Sequence, residues 1–400
     1  MRASGGALFA AGSLSWAAAQ WIMVWMFARY GGGADAVGIY AMLLSVTTPI
    51  FTVASFGLRT VYLSLPTQFP WRSYLTLRVV GSLSAVVVLS VYFAVSLAQE
   101  SLLWGALLLL KVADLLFDLQ QARLQRRSRL AILGILNLVN SIGTIALAAL
   151  ALMLFGSISY ALLGSAFASL LVVVVAERIA AKQADMNVTL EAGYGRLIRA
   201  GFPTMLSEGF ASLSSYLPIL VLSRIADESR LGLFTAASYL LTFANLAGAI
   251  IKNIVIGSFR QILESEGKAK LLRVVHSRVG LLVVIAVVCS PIIVLFGDPV
   301  LRWIYGDEFG MSMLDLGILA FALIPVAPAY VYSAMLNVME LFTSQAWIWG
   351  LAIAFGLVGG LSAVEFGAES LTVAFIVAIC ASWARFAGVV LLVLRSSLRA

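Results

Sequence analysis

What most constrains this chain is the recurrence of uninterrupted apolar runs as long as a bilayer is thick. Twelve can be marked, at 5–28, 37–64, 79–97, 101–119, 130–155, 157–175, 200–223, 231–258, 279–296, 313–339, 344–366 and 370–394. About 20 apolar residues suffice for a helix to cross roughly 30 Å of hydrocarbon. A lone segment in lipid has to satisfy its own backbone, so the runs read as helices. Porin-type strands would be about ten residues long, with apolar and polar residues alternating. Composition agrees: 62% of residues are apolar and 11% charged, and the mean hydropathy is +1.02. Average globular chains carry about 25% charge. The predicted fold class is therefore an all-α polytopic membrane protein with about twelve transmembrane helices. Its short loops leave no room for a sizeable soluble catalytic domain.

The net charge of +7 comes from 26 basic and 19 acidic side chains. With the N-terminus placed inside, 18 bases fall in inner loops and termini and only Arg29, Arg224, Arg230 and Arg302 in outer loops. That asymmetry predicts both termini in the cytoplasm. The densest block, Gln121–Arg129 (QARLQRRSR), reads as a cytoplasmic anchor beside anionic lipid rather than a nucleic-acid patch. The segment 260–278 (RQILESEGKAKLLRVVHSR) is expected to be an interfacial helix. His276, the sole histidine, lies within it, so no histidine metal cluster can form. Cys289 and Cys380 sit in apolar runs and form no C-x-x-C pair. Asn187-Val-Thr189 matches a glycosylation acceptor but falls on the predicted inner side. No G-x-x-x-x-G-K-[ST] is present, so no P-loop nucleotide site and no bound cofactor are expected. Gly31-Gly32-Gly33-Ala34-Asp35-Ala36 fits G-x-G-x-x-A, but it follows a membrane helix and reads as a tight turn.

The two halves repeat. An offset of 194 residues places Val37-Gly38-Ile39-Tyr40 on Leu231-Gly232-Leu233-Phe234, Ser13 on Ser207 and Ala17 on Ala211. Six runs per half give the repeats the same orientation, a transporter plan that puts the substrate between halves. The expected domains are an N-terminal six-helix bundle at 1–177, a cytoplasmic linker at 178–199 and a C-terminal six-helix bundle at 200–400.

A family resemblance rests on these residues. Ala28-Arg29-Tyr30-Gly31-Gly32-Gly33, Val37-Gly38-Ile39-Tyr40 and Ala54-Ser55-Phe56-Gly57-Leu58-Arg59-Thr60 resemble the opening of polysaccharide-transport proteins. Leu231-Gly232-Leu233-Phe234 and Tyr305-Gly306-Asp307-Glu308-Phe309 resemble their second half. These are the Wzx-type flippases of the MOP superfamily, which also holds MATE exporters and MurJ-type lipid II flippases. The resemblance implies two six-helix bundles around a central cavity. It also implies transfer of an undecaprenyl-pyrophosphate-linked oligosaccharide across the bacterial inner membrane, for O-antigen, capsule or exopolysaccharide. A polysaccharide polymerase or chain-length regulator would be the protein partner, and no nucleic acid is involved. Twelve spans suit the Wzx and MATE branches better than the MurJ branch, which usually has fourteen. Many relatives carry an acid late in the seventh span, where this chain has Tyr216-Leu217-Pro218-Ile219. The rival readings are a MATE-type drug/ion antiporter and an integral membrane glycosyltransferase or polymerase. The latter would need a long outer loop with catalytic side chains, which the sequence lacks.

Charges inside the runs are costly, on the order of 2.5–3.5 kcal/mol each at a helix centre, so each needs a reason. Arg59 and Lys252 fall at nearly equivalent repeat positions; they either snorkel to the inner face or form a basic cavity floor for a pyrophosphate. Lys111 and Arg385 are further candidates for a cationic cavity. Lys111, Asp114 and Asp118 share one helical face, where Lys111 can pair with Asp114. Asp118 and Asp315 are read as solvated near span ends. Glu208 is expected either to pair with Arg385 or Lys252 or to titrate and couple transport to protons, with Asp114 a second coupling candidate. Pro325 and Pro328 are expected to kink the tenth helix.

Overall fold

The computed structural model describes residues 2–64, 69–181, 193–339 and 341–397. Lys182, the Asn187–Thr189 motif and the middle of the expected linker lie outside them. Apart from two 3-10 turns, the described secondary structure is α-helical. The helices are α1 (Arg2–Tyr30), α2 (Gly33–Ala54), α3 (Leu58–Ser64), α4 (Trp71–Ser96), α5 (Ser101–Arg126), α6 (Leu130–Phe155), α7 (Ile158–Ala181), α8 (Tyr194–Leu222), α9 (Glu228–Tyr305), α10 (Met313–Leu323), α11 (Val326–Val338), α12 (Phe342–Glu365) and α13 (Ser370–Ser397). Ten stretches are long and apolar enough to cross a membrane, so the chain is a multi-pass membrane protein.

Ten rather than twelve has two causes. The runs at 231–258 and 279–296 are joined in α9, whose 78 residues would measure about 117 Å as one rod. That is several times the hydrocarbon thickness, and the helix breaks at Gly267 (φ 79°, ψ 177°), a conformation only glycine adopts readily. The segment 260–278, expected to be an interfacial helix, is helical on both sides of this glycine break. The other cause is α5, where Lys111, Asp114 and Asp118 interrupt the apolar surface.

Three boundaries also move. The run at 79–97 extends upstream, so Arg72 and Arg78, read as inner-loop bases, lie within α4. α5 continues to Arg126, so most of the basic block is helical. The run at 37–64 breaks between α2 and α3, where Phe56 (φ 52°) and Gly57 (φ 60°) are left-handed. The repeat-equivalent residues are Ile250 and Ile251, β-branched side chains that disfavour positive φ, and α9 continues through them. Pro325 separates α10 from α11, as expected of a kink.

The chain forms two compact units: 1–32 with 46–209, and 33–45 with 210–400. In unit 1, α6 packs on α1 and α7, and α5 packs on α7, α4 and α3. One apolar core joins Phe117 and Leu124 of α5 to Leu133 and Leu136 of α6 and Val172 of α7. Another gathers Leu58, Tyr62, Tyr74, Leu77, Leu119 and Leu197. In unit 2, α9 packs on α11 and α10, and α13 on α12, α10 and α11. Its core includes Phe259, Leu271, Val331, Met335, Ile348 and Val389.

The repeat leaves a direct mark in unit 2. A Cβ on Gly38 would lie 1.8 Å from the Glu228 carbonyl oxygen, and one on Gly232 would lie 2.0 Å from the Ala34 carbonyl oxygen. Adding 194 turns Gly38 into Gly232 and Ala34 into Glu228, so the two contacts exchange. Such reciprocity is the signature of an isologous, twofold contact. Neither glycine tolerates a side chain there, because small residues let helix backbones meet.

Candidate functional site

Several of the membrane charges gather around Asp118 in unit 1 and around Arg385 in unit 2. In unit 1 the centre is Asp118 on α5. Its Oδ1 accepts from Arg59 Nη1 at 2.7 Å and its Oδ2 from Arg78 Nη2 at 3.0 Å. Arg59 also donates to Gln121 Oε1 at 3.3 Å and Gln125 Oε1 at 3.2 Å. The α2–α3 break brings Arg59 here: α3 starts one residue earlier and packs on α5. Asp118 is thus a bridge between two guanidiniums rather than a solvated end residue. Arg78 is wholly buried, and its Nε and Nη1 have no protein partner. Sequence reasoning misses Arg78 because the apolar run begins at Val79. Trp71, Tyr74 and Leu75, which extend the apolar helix upstream, are the signal that could find it.

Glu208 on α8 accepts a hydrogen bond from Thr60 Oγ1 at 3.1 Å, so it touches the residue next to Arg59. Lys111 and Asp114 are half-buried one turn apart on α5, and no ion pair joins them among the described residues. The pair that their spacing allows is therefore not formed among the described residues. Closer to the end of α5, Arg123 pairs with Glu177 at 3.4 Å and lies 4.5 Å over the Trp71 ring. Arg126 lies 5.0 Å over Tyr62. Some of the basic block is thus tied into unit 1 by side-chain contacts.

The cluster in unit 2 is built differently. Arg385 on α13 is buried, and its Cζ lies 4.2 Å from the Tyr330 ring of α11 and 4.1 Å from the Trp349 ring of α12. Tyr330 donates its hydroxyl to Asn245 Oδ1 at 3.2 Å. Lys252 is half-buried on α9. Among the described residues no carboxylate pairs with Arg385 or Lys252. Aromatic stacking covers the faces of a guanidinium while its N–H donors point outward in the ring plane. The sequence holds no signal for these partners: nothing in it matches one aromatic to an arginine on another helix.

Asp315, read as solvated, is buried at the start of α10. Its oxygens accept from Ser312 Oγ at 2.7 Å and Thr372 Oγ1 at 2.8 Å, and the Ser312 hydroxyl caps the helix by accepting from the Asp315 amide. Asp315 accordingly belongs to the packing between α10 and α13. His276 meets Tyr332 edge-on at 5.7 Å. No group of three or more histidine, cysteine or acidic residues suited to a metal occurs among the described residues.

No family model matches the chain. One curated protein, the capsular polysaccharide biosynthesis protein CapF of Staphylococcus aureus, is 28% identical over 114 residues. That match spans 28% of this chain and 28% of CapF. Solved structures match over nearly the whole length. An inward-facing multidrug resistance MATE family transporter of the MOP superfamily superimposes with a TM-score of 0.66 at 14% identity, covering 95% of this chain and 93% of its own. The Vibrio cholerae MATE transporter VcmN, as its D35N mutant, gives 0.64 at 16% identity, covering 99% and 98%. A Pyrococcus furiosus MOP superfamily transporter described as having a binding pocket of reversed polarity gives 0.61 at 12%, covering 100% and 95%. The chain has the fold of the MATE transporters.

Proposed function

We propose that this protein is a flippase for a lipid-linked oligosaccharide, an undecaprenyl-pyrophosphate-linked repeat unit, in the bacterial inner membrane. The observation that carries the proposal is Arg385, buried between Tyr330 and Trp349 without a carboxylate partner among the described residues. A charge within the membrane costs on the order of 2.5–3.5 kcal/mol or more. Two cation–π contacts return about 1–2 kcal/mol each when desolvated. They cancel much of the cost but leave the in-plane donors with no anion. A pyrophosphate offers oxygens that fit a guanidinium fork. Lys252 adds a second positive charge on the same unit. The polyprenyl tail, already apolar, stays in lipid. The CapF similarity supports cargo of the capsular polysaccharide class. A polysaccharide polymerase or chain-length regulator would take the cargo on the outer side. The transfer makes and breaks no covalent bond, so the role is not enzymatic.

Topology belongs to the same proposal: both termini face the cytoplasm. Arg224→Cys should react with an impermeant thiol reagent in intact cells, and Glu266→Cys only after permeabilisation.

A MATE-type drug/ion antiporter is the second reading. Glu208 favours it, as a membrane carboxylate whose hydrogen bond comes from a hydroxyl rather than a cation at contact distance, and Asp114 would be its companion. The MATE-type neighbours support it equally at the level of fold. Deleting the gene separates the two. A flippase deletion strands repeat-unit lipid on the inner leaflet and removes surface polysaccharide, with sugar assembly intact. An antiporter deletion leaves polysaccharide normal and raises sensitivity to cationic drugs; that result, in a strain without a redundant transporter, would overturn the flippase reading.

A further inference from the structure

We propose that α2 and α9 are held at their first turns by a releasable backbone clasp, latched by Glu308, whose opening is a step of the transport cycle. The clasp rests on the transporter reading above for its role, but not for its structure.

Gly38 lies on the Glu228 carbonyl and Gly232 on the Ala34 carbonyl. Ala34 and Glu228 are first-turn residues, and each carbonyl stands four residues before the glycine of its own helix. Each glycine Cα therefore covers the carbonyl that starts the opposite helix, a placement in which weak Cα–H···O contacts form. A contact made of backbone has no interlocked side chains to repack when it separates, so it suits repeated opening better than a jigsaw core would.

One carboxylate holds it. Glu308 Oε1 accepts from the Ala34 amide at 3.0 Å, an amide that has no partner within α2. Glu308 belongs to the 3-10 turn Asp307–Phe309 that follows α9, and that turn is fixed by buried Phe309 and by Arg302 Nη1 donating to the Asp307 carbonyl at 2.9 Å. The latch thus reaches from the far end of α9 to the start of α2. The family-like stretches at 28–40 and 305–309, distant in sequence, meet at this hydrogen bond.

Both ends of the clasped segment are weak points. Before it, Gly32 (φ 120°) and Gly33 (φ 69°) turn the chain. After it, Pro49 inside α2 has no N–H, so the Ser45 carbonyl lacks its helical donor. Ser45 is also the last residue of α2 that belongs to unit 2, and Val46 belongs to unit 1. Residues 33–45 thus run from a glycine turn to the carbonyl whose helical hydrogen bond Pro49 removes.

The test uses the full chain, purified, with Cys289→Ala and Cys380→Ala. Ala34→Cys then reports on the contact, since Ala34 is buried and its amide keeps the Glu308 bond. The parent should react slowly with a polar maleimide. Gly38→Ala and Gly232→Ala should each speed labelling by a similar factor, about tenfold if opening becomes common. The double variant should gain little more, because both substitutions open the same contact. Glu308→Gln, which introduces no clash, should give a smaller increase in the same direction. Fast labelling in the parent, or an effect of one glycine without the other, would overturn the clasp. Its role in the cycle is read separately: the glycine variants should lose export while inserted at normal levels. Full export with rapid labelling would overturn that role. If instead deleting the gene leaves polysaccharide intact, the flippase reading fails while the labelling still decides the clasp.

Discussion

In unit 1, Arg59 and Arg78 share one carboxylate, and two glutamines take further donors. In unit 2, Arg385 has aromatic faces in place of an acid. Both arrangements keep an arginine in the membrane, by different physics. Asp118 balances one of the two guanidinium charges and leaves Nε and Nη1 of Arg78 without a protein partner; the two rings lower the cost of the Arg385 charge without supplying an anion. In the proposed function the first is a structural joint and the second is the site that takes the anion of the cargo. The repeats also differ in the backbone here: α2 breaks at Phe56–Gly57, next to Arg59, while α9 stays helical through Ile250, Ile251 and Lys252.

The largest expected effect tests the sandwich. Arg385→Ala and Arg385→Lys should each lower export at least about tenfold, because an ammonium has neither the flat faces nor the fork. Normal export in Arg385→Lys would show that charge alone suffices, and the two clusters would then be less different than their geometry. Next comes the joint. Asp118→Asn should destabilise the protein by about 2 kcal/mol in a detergent melt, since it strands buried Arg78. Adding Arg78→Met should recover most of that loss, and a melt as low as that of the single variant would show that the bridge is not what Asp118 contributes. Trp349→Leu should cost about 1 kcal/mol in the same melt and weaken export less than Arg385→Ala. The smallest effect concerns Lys111 and Asp114. A double-mutant cycle of Lys111→Met and Asp114→Asn should give a coupling below about 0.5 kcal/mol. A larger value would mean that they act as a pair despite the absence of contact.

The sequence is most informative where one physical rule acts alone. Apolar length marks nearly every helix, Pro325 marks its kink, and the 194-residue offset points to Gly38 and Gly232, whose reciprocal contact the fold supplies. It fails where a rule has to be weighed against tertiary contacts. The spacing of Lys111 and Asp114 allows a pair, but i, i+3 geometry offers an interaction worth only tenths of a kcal/mol and does not enforce it. Distance from a span end is a poor guide to Asp118 and Asp315, whose partners arrive from α3, α4 and α13. Arg78 escapes notice because a charge ordinarily ends a membrane helix, although a buried counter-ion lets the helix continue past it.

The charged face of α5 has a consequence for how the chain enters the bilayer. A segment leaving the ribosome partitions into lipid according to its own apolar content, and Lys111, Asp114 and Asp118 each oppose that step by up to about 2.5–3.5 kcal/mol. α4 is synthesised first and carries Arg78, the counter-charge that Asp118 needs. α5 is therefore expected to insert better when α4 precedes it than alone, because Arg78 supplies a counter-charge that an isolated α5 lacks.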